Sequence, residues 1–117
     1  MENPICVSTW EFGLKAVRKA GELFSNDVHP LDVIEQSIWV VEDDSGVASV
    51  GYGGLPNQKG VVELDAIIFD GPLKKIGAVA ALTGIRHAIS AARLVMEKSP
   101  HIVLAGSGAK EFAIAHG

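Results

Sequence analysis

The stretch Ile76–Leu82 constrains this chain more than any other. It is a continuous apolar run rich in small residues, the pattern of a strand buried on both faces. Such a strand needs one layer of cover above it and another below. The chain has 117 residues, 48% of them hydrophobic, so material for a core is present. Short domains leave much of their surface exposed, and a chain this apolar can carry more than it buries alone. The surplus would then mark a partner interface. No linker, internal repeat or low-complexity tract divides the sequence, and residues 1–117 read as one unit.

The rest of the chain is punctuated clearly. Pro4–Thr9 is short, apolar and β-branched, and is expected to form a buried strand with Cys6 packed inside it as a small hydrophobe. After the turn-like Glu11-Phe12-Gly13, the residues Leu14, Val17, Ala20 and Phe24 recur at helical spacing and predict a helix stopping near Asn26-Asp27. Pro30 suits the first position of a second helix, where its missing N–H costs nothing. Leu31, Ile34, Ile38 and Val41 form that helix's apolar stripe. Carboxylates oppose the dipole at a helix C-terminus, so Glu42-Asp43-Asp44 is expected to be a solvated acidic end, with the helix stopping near Val41 or Glu42.

Gly51, Gly53 and Gly54 mark a loop that must turn sharply or approach something closely. Pro56-Asn57 and Lys59-Gly60 carry turn chemistry suited to a hairpin. Val61–Phe69 reads as a strand ended by Asp70-Gly71-Pro72. Beyond Thr83-Gly84, Ile85, Ile89, Ala92 and Met96 share a helix face that Ser99-Pro100 closes. His101–Ala105 reads as a short strand, and Gly106-Ser107-Gly108 opens a last helix through Phe112. The expected order is β-α-α-β-β-β-α-β-α. Its middle strands are joined by short turns, which favours an antiparallel or mixed sheet.

Several chemistries can be set aside. The net charge is −4 and there is no basic stripe for nucleic acid. No apolar run reaches the roughly 18 residues of a membrane span, and no signal peptide is visible, which leaves the compartment open. His29, His87, His101 and His116 are scattered, and a single cysteine cannot build a zinc cluster, so no metal is expected. The strand–turn–helix Val103–Phe112 contains Gly-x-Gly, but Glu111 stands where a dinucleotide site has its third small residue, so no cofactor is expected. Asp65 alternates with Leu64 and Ala66; with both strand faces covered it would point inward and serve structural hydrogen bonding. Trp10 follows the first expected strand, where rigid aromatics can line pockets, but read from the residues alone core packing is the better reading. Ser49 precedes the glycine-rich loop, but no histidine is in local register to activate it.

Seven pieces in order carry a resemblance: Ser8-Thr-Trp-Glu-Phe-Gly13, Val40-Val-Glu-Asp-Asp44, Ser49-Val-Gly-Tyr-Gly-Gly54, Leu64-Asp-Ala-Ile-Ile-Phe-Asp70, Gly77-Ala-Val-Ala80, Ala91-Ala-Arg-Leu-Val-Met-Glu97 and Val103-Leu-Ala-Gly106. Together they resemble the α-subunit of the glycosylasparaginase (aspartylglucosaminidase) family of N-terminal-nucleophile hydrolases, over nearly the whole chain. The resemblance implies an α/β (α+β) fold, a four-layer αββα sandwich of which this chain is one part. It implies a precursor that cuts itself before the threonine of a His-Asp-Thr motif. That threonine then attacks the amide carbon with its own α-amino group as base. It implies a β-subunit from the same precursor, an assembly of two αβ units, and a glycoasparagine or β-aspartyl substrate. Carried onto this chain, the resemblance makes Trp10 a pocket wall, Thr9 its neighbour, and Ser49 a supporting residue close to the nucleophile.

The departures are also informative. No His-Asp-Thr occurs and the sequence ends at Ala115-His116-Gly117, so the nucleophile is expected on a β-part outside this chain. His87-Ala88 stands where relatives often have Asn-Pro. Isoaspartyl peptidases and plant-type asparaginases, the first alternative, usually carry an Asn-Ala-Gly-type run where this chain has Ser45–Gly54. A non-catalytic binding fragment is the second alternative.

Overall fold

The computed structural model describes residues 3–117. Four helices and three strands follow in the order α1 (Gly13–Ser25), α2 (Pro30–Glu42), β1 (Leu64–Asp70), β2 (Lys75–Leu82), α3 (Ala88–Lys98), β3 (Val103–Ala105) and α4 (Gly106–Ala115). The result is a small mixed α/β domain. Its sheet has the order β1-β2-β3, antiparallel between β1 and β2 and parallel between β2 and β3. The mixed sheet agrees with the sequence reading.

The helix boundaries follow local chemistry. His29 caps α2 by accepting the Leu31 N–H on Nδ1 at 3.2 Å, and Pro30 occupies the first helical position. Asn26 ends α1, as expected, and its side-chain amide donates back to the Glu22 carbonyl. The third helix begins at Ala88, after Ile85, because His87 has left helical geometry and serves as its N-cap residue.

One face of the sheet is covered. Ile68, Val79 and Leu82 pack with Ala88, Ile89, Ala92, Val95 and Met96 of α3 and with Ala109 and Ala113 of α4. The contact of β2 with α3 is closest at Gly77, where an added Cβ would lie 2.2 Å from the Ala92 carbonyl oxygen. Helix α2 joins this layer through Leu31, Ile38 and Trp39. Arg93 then ties α2 to α3 by donating to Asp32 and Glu35 at 2.6 and 2.7 Å, and to Glu97 of its own helix. Burial works against its charge, but these bonds prevail and hold the guanidinium pKa above its ordinary value.

The other face is open along β1 and β3, although Ala78 of β2 is buried between them. Ile67 and Phe69 of β1 are 63% and 58% exposed, and Val103 of β3 is also exposed. The expectation that Ile76–Leu82 is buried on both faces holds at its centre, where Gly77, Ala78 and Val79 are buried in succession, and fails toward its end, where Ala81 is exposed.

Other expectations also change. Pro4–Thr9 is not a strand; its residues are exposed, because no strand of the sheet pairs with it. Cys6 is accordingly exposed rather than packed. Between α2 and β1 the described residues hold no strand, only a 3-10 turn at Gly51–Gly53, so the middle of the chain contributes two strands and not three. Asp65 is exposed, not interior. It does make the structural hydrogen bond expected of it. The pairing steps from Leu64–Leu82 to Ala66–Val79, leaving an extra residue on β2, and Asp65 Oδ1 accepts the Ala81 N–H of that bulge at 2.9 Å.

Candidate active site

Thr9 and Trp10 lie at the entry to α1. Gly13 N–H donates to the Trp10 carbonyl at 3.1 Å, closing the expected turn, and Gly13 itself is buried beneath Ser8. A Cβ on residue 13 would lie 2.2 Å from Ser8 Oγ, so any larger residue there would force Ser8 to shift. Trp10 takes φ +65°, a left-handed geometry that a bulky residue rarely adopts, and its side chain stands in solvent at 76% exposure. Strain of this kind persists where the surroundings fix the backbone.

Ser49 lies on the segment that leaves α2. Asp44 organises that segment: its carbonyl accepts from Val47 N–H and its carboxylate accepts from Gly46 N–H at 2.9 Å. The Gly51–Gly53 turn then folds back against the end of α2. Gly51 has φ +65°, and a Cβ there would lie 2.4 Å from the Glu42 Cα. A Cβ on Gly53 would lie 2.5 Å from the Ser45 and Val47 carbonyl oxygens. The sequence expectation that these glycines allow a sharp turn and a close approach holds at both positions.

One small cluster joins the two segments. Ala16, Val41 and Val47 are buried together, with Phe12 and Val50 packed against them. Phe12 follows Trp10 by two residues and Val50 follows Ser49 directly. Lys15 forms an ion pair with Asp44 across the same gap. A cavity of about 490 Å³ opens between the segments, bordered by Phe12, Lys15, Asp44 and Val47. Among the described residues, no hydrogen bond links the side chains of Thr9, Trp10 and Ser49, and all three are exposed. The cluster fixes the two segments and leaves these side chains open.

The acidic end of α2 is solvated at Asp43 and partly at Asp44, as the sequence suggested, but not at Glu42. Glu42 is buried at 2% exposure. Its Oε1 accepts the Ile89 N–H of α3 at 2.9 Å, while Oε2 is buried without a hydrogen-bond partner. Burial pushes this carboxyl up to about 7, against the opposing pull of the Ile89 bond and His87. Asp43 is the reverse case. Arg86 Nε donates to it at 2.7 Å and His87 Nε2 lies at 2.8 Å, which together hold its carboxyl below the usual range. His87 also stacks on Trp39, whose indole N–H donates to Ser90 Oγ at 2.8 Å. Sequence reasoning missed Glu42 because burial there depends on α3 folding over it, more than forty residues later.

Among the described residues no group of three or more histidine, cysteine, aspartate or glutamate side chains is placed to hold a metal ion. None of their helices is long and apolar enough to cross a membrane.

Comparison with known proteins places this geometry in context. The family model described as asparaginase matches residues 7–117. The chain is 48% identical to an N(4)-(β-N-acetylglucosaminyl)-L-asparaginase of Elizabethkingia miricola, over 98% of this chain and 34% of that protein. It is 40% identical to a probable isoaspartyl peptidase/L-asparaginase 3 of Arabidopsis thaliana, over 97% of this chain and 32% of that protein. A Rattus norvegicus N(4)-(β-N-acetylglucosaminyl)-L-asparaginase is 36% identical over 97% of this chain and 33% of its own length. The chain thus spans about a third of the length of the curated relatives it matches.

Proposed function

Because the chain belongs to the asparaginase family, we propose that it is the α-subunit portion of a self-cleaving amidohydrolase that splits the β-amide bond of N-acetylglucosaminyl-asparagine. The geometry that supports the reading is the corner described above. The turn of Trp10 and the segment of Ser49 are clamped by one cluster, and both side chains are left open to solvent. In the proposed enzyme Trp10, with Thr9 beside it, walls the substrate pocket, and Ser49 lies near a threonine nucleophile carried by the β-part. The threonine hydroxyl attacks the amide carbon after losing its proton to the threonine's own α-amino group. The C–N bond then breaks and the glycosylamine leaves with a proton. Water hydrolyses the resulting ester and releases aspartate.

The uncovered face of the sheet fits the same proposal. Ile67, Phe69 and Val103 would pack against a second sheet from the β-part, giving the αββα sandwich, and two such αβ units would assemble. Residues 1–117 are then part of one larger domain. A second reading, isoaspartyl peptidase or L-asparaginase, is carried by the relatives of that name at 40% identity. Hydrolysis assays on the full-length protein decide between the two. The proposal expects aspartate release from N-acetylglucosaminyl-asparagine. Rapid turnover of β-aspartyl dipeptides with none of the glycosylated substrate would favour the second reading.

A further inference from the structure

Glu42 sits where three elements meet. Its backbone is the surface on which the Gly51 turn rests, close enough that only glycine fits there. Its carboxyl reaches across to the first turn of α3, where an Ile89 N–H would otherwise lack a partner. Flanking contacts tie the same two helix ends: Trp39 to Ser90, and Asp43 to Arg86 and His87. Those contacts are more exposed, whereas the Glu42 bond is buried.

A buried acid is expensive to keep. Glu35 of its own helix and Asp43 just beyond the helix end both disfavour its charge, and across the junction the Ile89 N–H and His87 favour it without overcoming burial. Its second oxygen is buried and unpaired. Glutamine would remove the charge and still accept from Ile89. What this position supplies is therefore a buried acceptor of this reach for Ile89, rather than a charge.

We propose that Glu42 is a positioning residue for Ser49: by joining the end of α2 to the start of α3, it fixes the platform against which Val50 and Gly51 pack, and so sets where the Ser49 hydroxyl stands. The inference rests on the functional reading above for its kinetic consequence, but its structural part stands apart from that reading.

The test uses the full-length protein, with Glu42→Gln to keep an acceptor of the same reach and Glu42→Asp to shorten it. Amide exchange across residues 48–54 is expected to rise about tenfold in the Asp variant and to stay at the wild-type rate in the Gln variant. Turnover of N-acetylglucosaminyl-asparagine is expected to follow, with kcat about tenfold lower for Asp, the scale of one buried hydrogen bond, and KM little changed. Unchanged exchange in the Asp variant, or an equal rise in both, overturns the proposal. Should the Asp variant not fold, the Gln variant decides: wild-type exchange and kcat support positioning, and a rise in exchange or a fall in kcat overturns it. A wild-type protein inert toward the substrate would sink the functional reading alone, and the exchange comparison would still judge Glu42.

Discussion

At the scale of the residue, Trp10 contributes little buried area to this chain and holds a strained backbone. Its indole is expected to matter for what it touches. In the full-length protein Trp10→Ala should raise KM about tenfold and shift stability by less than about 0.5 kcal/mol, as exposed positions do. Unchanged KM beside a large fall in melting temperature would make Trp10 a core residue instead. Glu42 gives a pH prediction. Its carboxyl rises from 4.5 to about 7 on folding, so the folded state takes up a proton in that window. The stability it lends is full below pH 4.5 and is lost as pH rises through 7, by up to about 3 kcal/mol. Thermal melts of the full-length protein should fall between pH 5 and 8, and Glu42→Gln should flatten the fall. An identical profile in the two proteins would contradict this. Trp10 and Ser49 are proposed as site residues through the resemblance, not through spacing. Glu42 was not visible, because nothing local to Val40–Asp44 tells that α3 will cover it.

At the scale of the element, the helices were the most legible part. A 3.6-residue stripe, Pro30 at an N-terminus and Asn26 at an end are local signals, and the structure places α1 and α2 accordingly. The glycine loop was legible for the same reason: Gly51 and Gly53 are demanded by close backbone approach. Strands were less legible. Pro4–Thr9 has the composition of a strand, but strand structure needs a partner, and composition does not supply one. Ala81 forms the β2 bulge at φ +50°, and only its pairing with Asp65 reveals it. Gly77 carries the prediction for this scale. Alanine there would drive a methyl into the Ala92 carbonyl and the Met96 amide of α3, both backbone atoms that cannot swing aside. Gly77→Ala is expected to cost about 1–3 kcal/mol or more in a denaturant titration of the full-length protein. An unchanged midpoint would mean that α3 does not press on β2 at this point.

At the scale of the whole molecule, the chain has one covered sheet face and one open along β1 and β3. The sequence implied surplus apolar surface through its composition, but it did not say where that surface would lie. The structure identifies it by Ile67, Phe69 and Val103. Contiguous apolar surface of this kind marks an interaction site. Residues 1–117 alone should self-associate on size-exclusion chromatography. Replacing Ile67 and Phe69 together by lysine should return them toward a monomer while keeping helical content, and the same pair should prevent self-cleavage in the full-length protein. A wild-type fragment that runs as a monomer would count against an uncovered interface. The central claim is that this chain is the α-part of a precursor that cuts itself. Its most direct measurement is the intact mass and N-terminal sequence of the full-length protein after purification. The account predicts two polypeptides, the second beginning with threonine; a single uncut chain with full amidohydrolase activity would contradict it.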